Sequence, residues 1–461
     1  MSLHGSPPHT EDGLRNALIG QTVRQAAHMS SFYRNFYADH GLDASVIETT
    51  RDLHRVPVVT KEMLRKAGTA CLAFETNTAV SHIQHTSGTT GEPFLIYRSA
   101  QETAFIDAFF SRLAERRKNF RVSPLPIALQ LQPGYHGTAT TIPANLFPIE
   151  AMLSDAAKLD LVITLLQKRF AIPGATERIE VLIGGDREIC TVTAVAAAYG
   201  PDFGPSTGVR FVTLSGNVVS SYWRKKIAET WNSAVIDKFS MSEVFGGATY
   251  CMACGGYHFD PHVVPELVSI KGHEPLESGI GMLLLSSLNP FVQLQPMIRY
   301  LTGDLFRLDP KGCVAPRYEV CGRIEDALLD NGDQTVILLD GVMVREVLDR
   351  QSEVIREETF PILRSKVARS AGFPRAQGRI RSESGTPFYD LQVEIDYSTV
   401  NPTRRSALRN EIEAEFLKIA DTLRERVARG SCGFSVTLVP ENALDPCQRV
   451  PFWQEIPSSA N

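Results

Sequence analysis

Residues 85–93 read HTSGTTGEP. Within them Thr86, Ser87, Gly88, Thr89, Thr90 and Gly91 offer backbone N–H groups and hydroxyls with little side chain in the way. A protein cradles phosphate oxygens with such a segment. It is not a Walker A loop, because no lysine follows and Glu92 stands where a cation would help. Taken alone, the segment reads equally as a surface turn, since these residue types dominate turns.

Three other segments bear on that choice. IDKFSMSEVFGG ends an expected strand, AVIDKF, in the pair Ser242-Glu243. A carboxylate at the C-terminal end of a strand lies where open α/β sheets bind ligands. Glu243 there can hold Mg²⁺ beside phosphates, because Mg²⁺ takes one or two carboxylates plus phosphate oxygens. PMIRYLTGDLFRL places Asp304 in an expected Thr-Gly-Asp turn, where it either accepts from two ribose hydroxyls or braces the turn as an Asx residue. CGRIEDALL supplies Arg323 and the acidic pair Glu325-Asp326 at an expected hinge.

A fourth segment suggests a metal. TYCMACGGYHFDPH holds Cys251, Cys254 and His258, with His262 further on, and PKGCVAPRY adds Cys313. Together Cys251, Cys254, His258 and Cys313 make a Cys₃His set, a usual structural Zn²⁺ site. Cys321 is a rival fourth ligand, though its place directly before Gly-Arg suits packing. The alternative is a group of unrelated buried thiols, since free cysteine behaves as a small hydrophobe. A zinc ion here would staple the chain after Glu243 and take no part in chemistry.

The elements that must position these groups alternate in type. LPIALQL, IEVLIGG and VRFVTLSG read as buried strands, and helical patterns follow residues 151 and 186. That alternation implies an α/β fold built on a parallel sheet. The C-terminal part has another rhythm. FYDLQVEID reads as a half-buried strand, and Asn401-Pro402 as a helix start. Leu408, Ile412, Phe416, Ile419, Leu423 and Val427 then fall near one helical face, and FSVTL is a further strand. The expected division is a large multilayer α/β domain over residues 1–322 and a small mobile α+β domain over residues 323–461.

With 461 residues, 43% hydrophobic and 21% charged, the chain has ample core for two domains. The net charge of −5 argues against general affinity for nucleic acid. No apolar run reaches membrane-spanning length, and the polar start MSLHGSPPHTEDG carries no signal-peptide core, so a cytoplasmic enzyme is expected. Eight cysteines are too few for a disulfide scaffold in so long a chain.

SGTTGEP, SMSEVFGG, RYLTGDL and GRIEDALL occur in that order and at suitable separations. Together they resemble the adenylate-forming enzymes, most closely the phenylacetate–coenzyme A ligase group. FYRNFYADHGL followed by LHRVPVVTKEMLRKA is similar to that group's opening. The resemblance implies a two-step reaction: a carboxylate attacks the α-phosphate of ATP, and the acyl-adenylate then yields its acyl group to a nucleophile, with coenzyme A as the default acceptor. It makes the large domain an ATP- and acid-binding adenylation domain and the small one a lid. It also assigns roles. Residues 86–91 match the phosphate loop, and Ser242-Glu243 match the pair that meets phosphate and Mg²⁺. Ser215, Gly216 and Asn217 match a loop against adenine, and Asp304 the ribose-binding aspartate. Arg323 and Glu325 match the arginine and acid of the hinge. A homodimer is compatible with the resemblance.

The departures are Glu92, where the group usually has lysine, Asn217, where it usually has an acid, and LDPCQRVPFW, where Pro446 replaces the C-terminal lysine when Arg449-Val450 are aligned. For the acid, Tyr135 and His136 in LQPGYHGTATT, with Phe245 and Tyr250, are candidate pocket walls, and their aromatic character favours an aromatic carboxylic acid. A Tyr-His pair in a loop is also commonly structural. Three functions therefore stand open: an aryl-acid–coenzyme A ligase; an adenylating enzyme that serves an amine, alcohol or carrier protein; and a non-catalytic nucleotide-binding relative.

Overall fold

Short β-branched runs separated by apolar-striped helices fold into one 11-stranded mixed sheet with a smaller four-stranded sheet after it. The computed structural model describes residues 9–74, 80–85, 94–116, 124–132, 146–216, 218–313, 315–357, 371–383, 385–445 and 452–455. Helices α1 (His9–Met29), α2 (Ser31–Asp39) and α3 (Lys61–Ala67) come first. The antiparallel hairpin β1 (Val80–His85) and β2 (Leu95–Ser99) brackets the Thr/Gly-rich segment, and α4 (Ala100–Arg116) follows it.

The parallel half of the sheet comprises β3 (Leu125–Gln132), β4 (Phe147–Met152), β5 (Ala175–Gly185), β6 (Phe211–Ser215) and β7 (Ala234–Ser240). β3 pairs in parallel with both β4 and β5, and the series continues through β6 to β7. The chain thus leaves β3 on one side and returns on the other. That reversal opens a crevice outside the carboxyl ends of the strands, the ligand position in such sheets. The connections are α5 (Ala156–Gln167), α6 (Asp186–Ala198), α7 (Phe203–Thr207) and α8 (Ser221–Trp231). In α8 the Ser220 hydroxyl caps the Trp223 N–H, while Trp223, Ile227 and Trp231 bury one face at fourfold spacing. The Trp231 indole N–H donates to Thr193 Oγ1 at 2.9 Å and ties α8 to α6.

The remaining strands are antiparallel: β8 (Gly247–Cys251), β9 (Gly256–Phe259), β10 (Val263–Val268), β11 (Gly279–Ser287), β12 (Tyr300–Asp309) and β13 (Arg317–Arg323). The expected Thr-Gly-Asp turn is instead a bulge inside β12. Leu301 and Leu305 oppose Leu284 and Met282, so Thr302, Gly303 and Asp304 face the single residue Leu283. Gly303 at φ +80° allows this, and a bulge re-aims the side chain that follows it.

Past residue 326 a separate core forms from Leu339, Val344 and Leu348 with Tyr389, Leu391, Leu408 and Phe416. It includes α9 (Gly341–Leu348). Strand Thr386–Ile395, helix Pro402–Ile419 and strand Gly433–Pro440 make a parallel crossover unit, with Asn401 capping the Arg404 N–H as its sequence implies. The expected single helix through Val427 is two. The chain breaks at Ala420 (ψ 79°) and restarts as Asp421–Ala428. The Arg424 guanidinium donates to the Leu417 and Lys418 carbonyls, satisfying groups that the break frees. No described helix is long and apolar enough to cross a membrane.

Candidate active site

β7, two strands from β5, delivers Ser242-Glu243 to the carboxyl end of the sheet. The Glu243 carboxylate is buried. Its Oε1 lies 3.2 Å from Lys61 Nζ and accepts from the Tyr300 hydroxyl at 3.3 Å. Lys61 opens α3, which the Thr60 hydroxyl caps, and its ammonium also lies 5.7 Å from the centre of the Phe94 ring. Phe94 is the first described residue after the Thr/Gly segment. The Arg98 guanidinium on β2 donates to the Ser242 carbonyl at 3.1 Å and fixes the turn that carries the acid. Lys61, Arg98 and Tyr300 were not read from the sequence as site residues. Lys61 and Tyr300 stand in the quoted stretches VTKEML and RYLTGD, but only the fold brings them across 182 and 57 positions to Glu243.

Asp304 and Arg323 are opposed residues of β12 and β13. Arg323 Nη1 lies 3.3 Å from Asp304 Oδ1 and donates to the Thr302 carbonyl at 2.9 Å, and Nη2 lies 3.2 Å from Glu325 Oε1. Gly303 has no side chain for good reason: a Cβ there would meet Arg323 Nη2 at 2.9 Å. Burial pushes the Asp304 carboxyl up to about 6, against the pull of the Arg323 charge. Ser215 ends β6, and Gly216 follows at φ +117° with Asp186 Oδ1 2.6 Å from where a Cβ would sit. The bulge, the strand ends and the β7 turn thus aim Glu243, Asp304, Arg323, Ser215 and Gly216 at one end of the large sheet.

Phe245 packs beside the His262 ring (5.2 Å between centroids) and Phe291 (6.4 Å). Tyr250 lies under the Arg224 guanidinium at 4.5 Å and edge-on to Tyr257. Residues 86–93, Tyr135, His136, Asn217, Pro446 and Arg449 lie outside the described residues.

The four thiol and imidazole residues converge. β8 and β9 form a hairpin whose turn carries Cys254, and Cys313 comes from the link between β12 and β13. All four ligand atoms of Cys251, Cys254, His258 and Cys313 lie within 4.8 Å of one another. The Cys251 and Cys313 sulfurs are 3.6 Å apart, and His258 Nε2 is 3.2 Å from Cys254 Sγ and 3.4 Å from Cys313 Sγ. Tetrahedral Zn²⁺ with bonds of ~2.3 Å to sulfur and ~2.0–2.1 Å to nitrogen gives edges of roughly 3.5–3.8 Å. The sulfur–sulfur distance of 3.6 Å lies in that range, and the nitrogen–sulfur distances of 3.2 and 3.4 Å fall slightly below it, so the group has about the size that ion takes. His258 Nδ1 sits 3.2 Å from the Pro316 carbonyl, which places the proton on Nδ1 and leaves Nε2 as the ligand nitrogen. Cys321 stands outside the group, buried against β12, and is no ligand in this arrangement.

No family model matches the sequence. The chain is similar to a phenylacetate-coenzyme A ligase of Thermus thermophilus, 24% identical over 426 residues that cover 86% of this chain and 84% of that one. A phenylacetate-coenzyme A ligase of Escherichia coli is 24% identical over 346 residues, 69% of this chain and 72% of the relative. Among solved structures, 2-hydroxyisobutyryl-CoA ligase in its postadenylation state superposes with a TM-score of 0.69 over 99% of this chain and 94% of that one. At 16% identity that likeness is one of fold.

Proposed function

We propose, on the premise that this chain belongs to the adenylate-forming superfamily in its phenylacetate–coenzyme A ligase-like group, that it activates an aromatic carboxylic acid with ATP and passes the acyl group to coenzyme A. The observation that carries the reading is the buried Glu243 carboxylate held between Lys61 and Tyr300 at the carboxyl end of β7. In the first step a carboxylate oxygen of the acid bonds to the α-phosphorus, the bond to the bridging oxygen breaks, and pyrophosphate leaves. In the second the coenzyme A sulfur bonds to the acyl carbon, its proton is lost to solvent, and AMP leaves.

Such displacements need positioning and charge neutralisation more than covalent help. Residues 86–91 cradle the departing phosphates, and Ser242 and Glu243 border them. Glu243 would hold Mg²⁺, which would supply charge neutralisation for the phosphates. Lys61 supplies a cation that neither Glu92 nor Pro446 can. Asp304 accepts from the ribose hydroxyls, and Arg323 holds Asp304 in place. Ser215, Gly216 and Asn217 lie against adenine. Tyr135, His136, Phe245 and Tyr250 face the acid. Glu325 begins the hinge between residues 1–322 and the lid domain of residues 323–461. Cys251, Cys254, His258 and Cys313 would hold a structural Zn²⁺, which would pin the β8–β9 hairpin to the chain before β13.

The test is to mix the purified protein with ATP, Mg²⁺ and benzoic, anthranilic or phenylacetic acid, and to follow pyrophosphate and AMP with and without coenzyme A. Acid-dependent AMP formation that rises with coenzyme A is the expected result. AMP formation indifferent to coenzyme A points to another acceptor, and nucleotide binding without turnover on any acid overturns the reading.

A further inference from the structure

The adenine loop assigned above runs directly into α8, and the far side of that junction is gripped by α9 from the other core. The N-cap hydroxyl of Ser220 donates to Asp349 Oδ2 at 2.7 Å, and both residues are buried. The Ser221 N–H and hydroxyl both donate to the Glu346 carboxylate, so the first turn of α8 is satisfied by an acid of the C-terminal core. Arg345 Nη1 donates to the Val218 carbonyl at 3.3 Å, one residue past the loop, and its Nε bonds Asp349 Oδ2 at 3.2 Å. Arg356 closes the group with a 2.9 Å bond to Asp349 Oδ1. The Phe373 ring centre lies 4.5 Å from the Arg345 guanidinium and 4.9 Å from that of Arg187, and Arg187 adjoins Asp186, whose carboxylate covers Gly216.

These contacts leave residues 218–221 with partners on α9 that are lost if the C-terminal core swings away. We infer that α9 with its C-cap is a positioning element for the nucleotide site: Glu346, Arg345 and Asp349 hold residues 218–221, which follow the adenine loop, in place only while the C-terminal core is docked. ATP binding and docking are then coupled, and the coupling is reciprocal. This rests on the reading of Ser215, Gly216 and Asn217 as the adenine loop. Glu346 touches no nucleotide in this account; it acts through Ser221.

Calorimetric titration with MgATP alone tests the inference without knowledge of the acid. Glu346→Ala removes the acceptor, and Ser221→Ala removes the hydroxyl from the other side. Glu346→Gln keeps an oxygen for the Ser221 N–H. The expected result is about 5- to 50-fold weaker MgATP binding in Glu346→Ala, a smaller loss in Ser221→Ala, and recovery of most of the affinity in Glu346→Gln. MgATP should also slow tryptic cleavage after Arg323 in the wild type and not in Glu346→Ala, which a merely structural loss would not separate. Wild-type affinity in both alanine variants overturns the inference and leaves the proposed function standing. A wild-type protein that does not bind MgATP overturns the proposed function itself. If Glu346→Ala does not fold, Ser221→Ala with its intact α9 decides the matter.

Discussion

The Lys61 ammonium stands 3.2 Å from a carboxylate oxygen of Glu243. The contact joins the N-terminal helical region to the carboxyl end of the sheet and makes Lys61 the cation of the proposed phosphate site, in a chain with Glu92 and Pro446 at the positions that the family resemblance assigns to lysine. Lys61→Met should lower acid-dependent pyrophosphate release by about 10²–10³-fold, the cost of removing one preorganised electrostatic donor. The side chain is one-third exposed, so the fold should survive, which circular dichroism checks. Unchanged release would remove Lys61 from the phosphate site.

Glu243→Gln keeps the shape and the acceptor for Tyr300 but removes the charge that would hold Mg²⁺. Adenylation should fall by about 10²-fold or more, and the Mg²⁺ concentration for half-maximal rate should rise. A variant with the wild-type Mg²⁺ dependence would contradict the role.

Asp304 gives a pH dependence with two opposite signs. Its folded value of about 6 lies above the ordinary carboxylate value, because burial outweighs Arg323. Ionising it therefore costs stability: its contribution is fully present below the unfolded value and lost as pH rises through about 6. Ribose binding runs the other way, since only the carboxylate accepts from both hydroxyls. AMP affinity should fall as pH drops through about 6, and Asp304→Asn should lack that component. The AMP phosphate titrates in the same range, so the readout is the difference between the two proteins. Parallel profiles would take Asp304 out of the ribose site.

Protein purified without added metal should carry about one Zn²⁺ per chain, with X-ray absorption giving three sulfur neighbours and one nitrogen. Cys254→Ser should lower the zinc content and the melting temperature together. Less than about a tenth of an equivalent in the wild type would refute the site.

Much of this was legible in the sequence because its signals are local. IEVLIGG and VRFVTLSG are strands by composition, and Asn401-Pro402 starts a helix by cap chemistry. The spacing of Cys251, Cys254 and His258 belongs to one hairpin, and the fold brings in Cys313, named with them from the sequence, from 59 residues beyond Cys254. Other features depend on tertiary context. The bulge at Gly303 comes from a register mismatch with β11, which RYLTGD does not reveal. The helix break at Ala420 leaves the apolar spacing nearly intact and is stabilised by Arg424 reaching back to carbonyls. Lys61 and Tyr300 reach Glu243 only through the fold, and their own residue types in VTKEML and RYLTGD do not point to that contact.

The most direct test of the central claim follows an oxygen atom. Phenylacetic acid labelled with ¹⁸O in its carboxylate is incubated with the protein, MgATP and coenzyme A, and the products are read by mass spectrometry. Attack of the carboxylate on the α-phosphorus predicts phenylacetyl-coenzyme A together with AMP that carries one ¹⁸O. Formation of ADP with the label in inorganic phosphate would contradict the account, because the bond would then have formed at the γ-phosphorus.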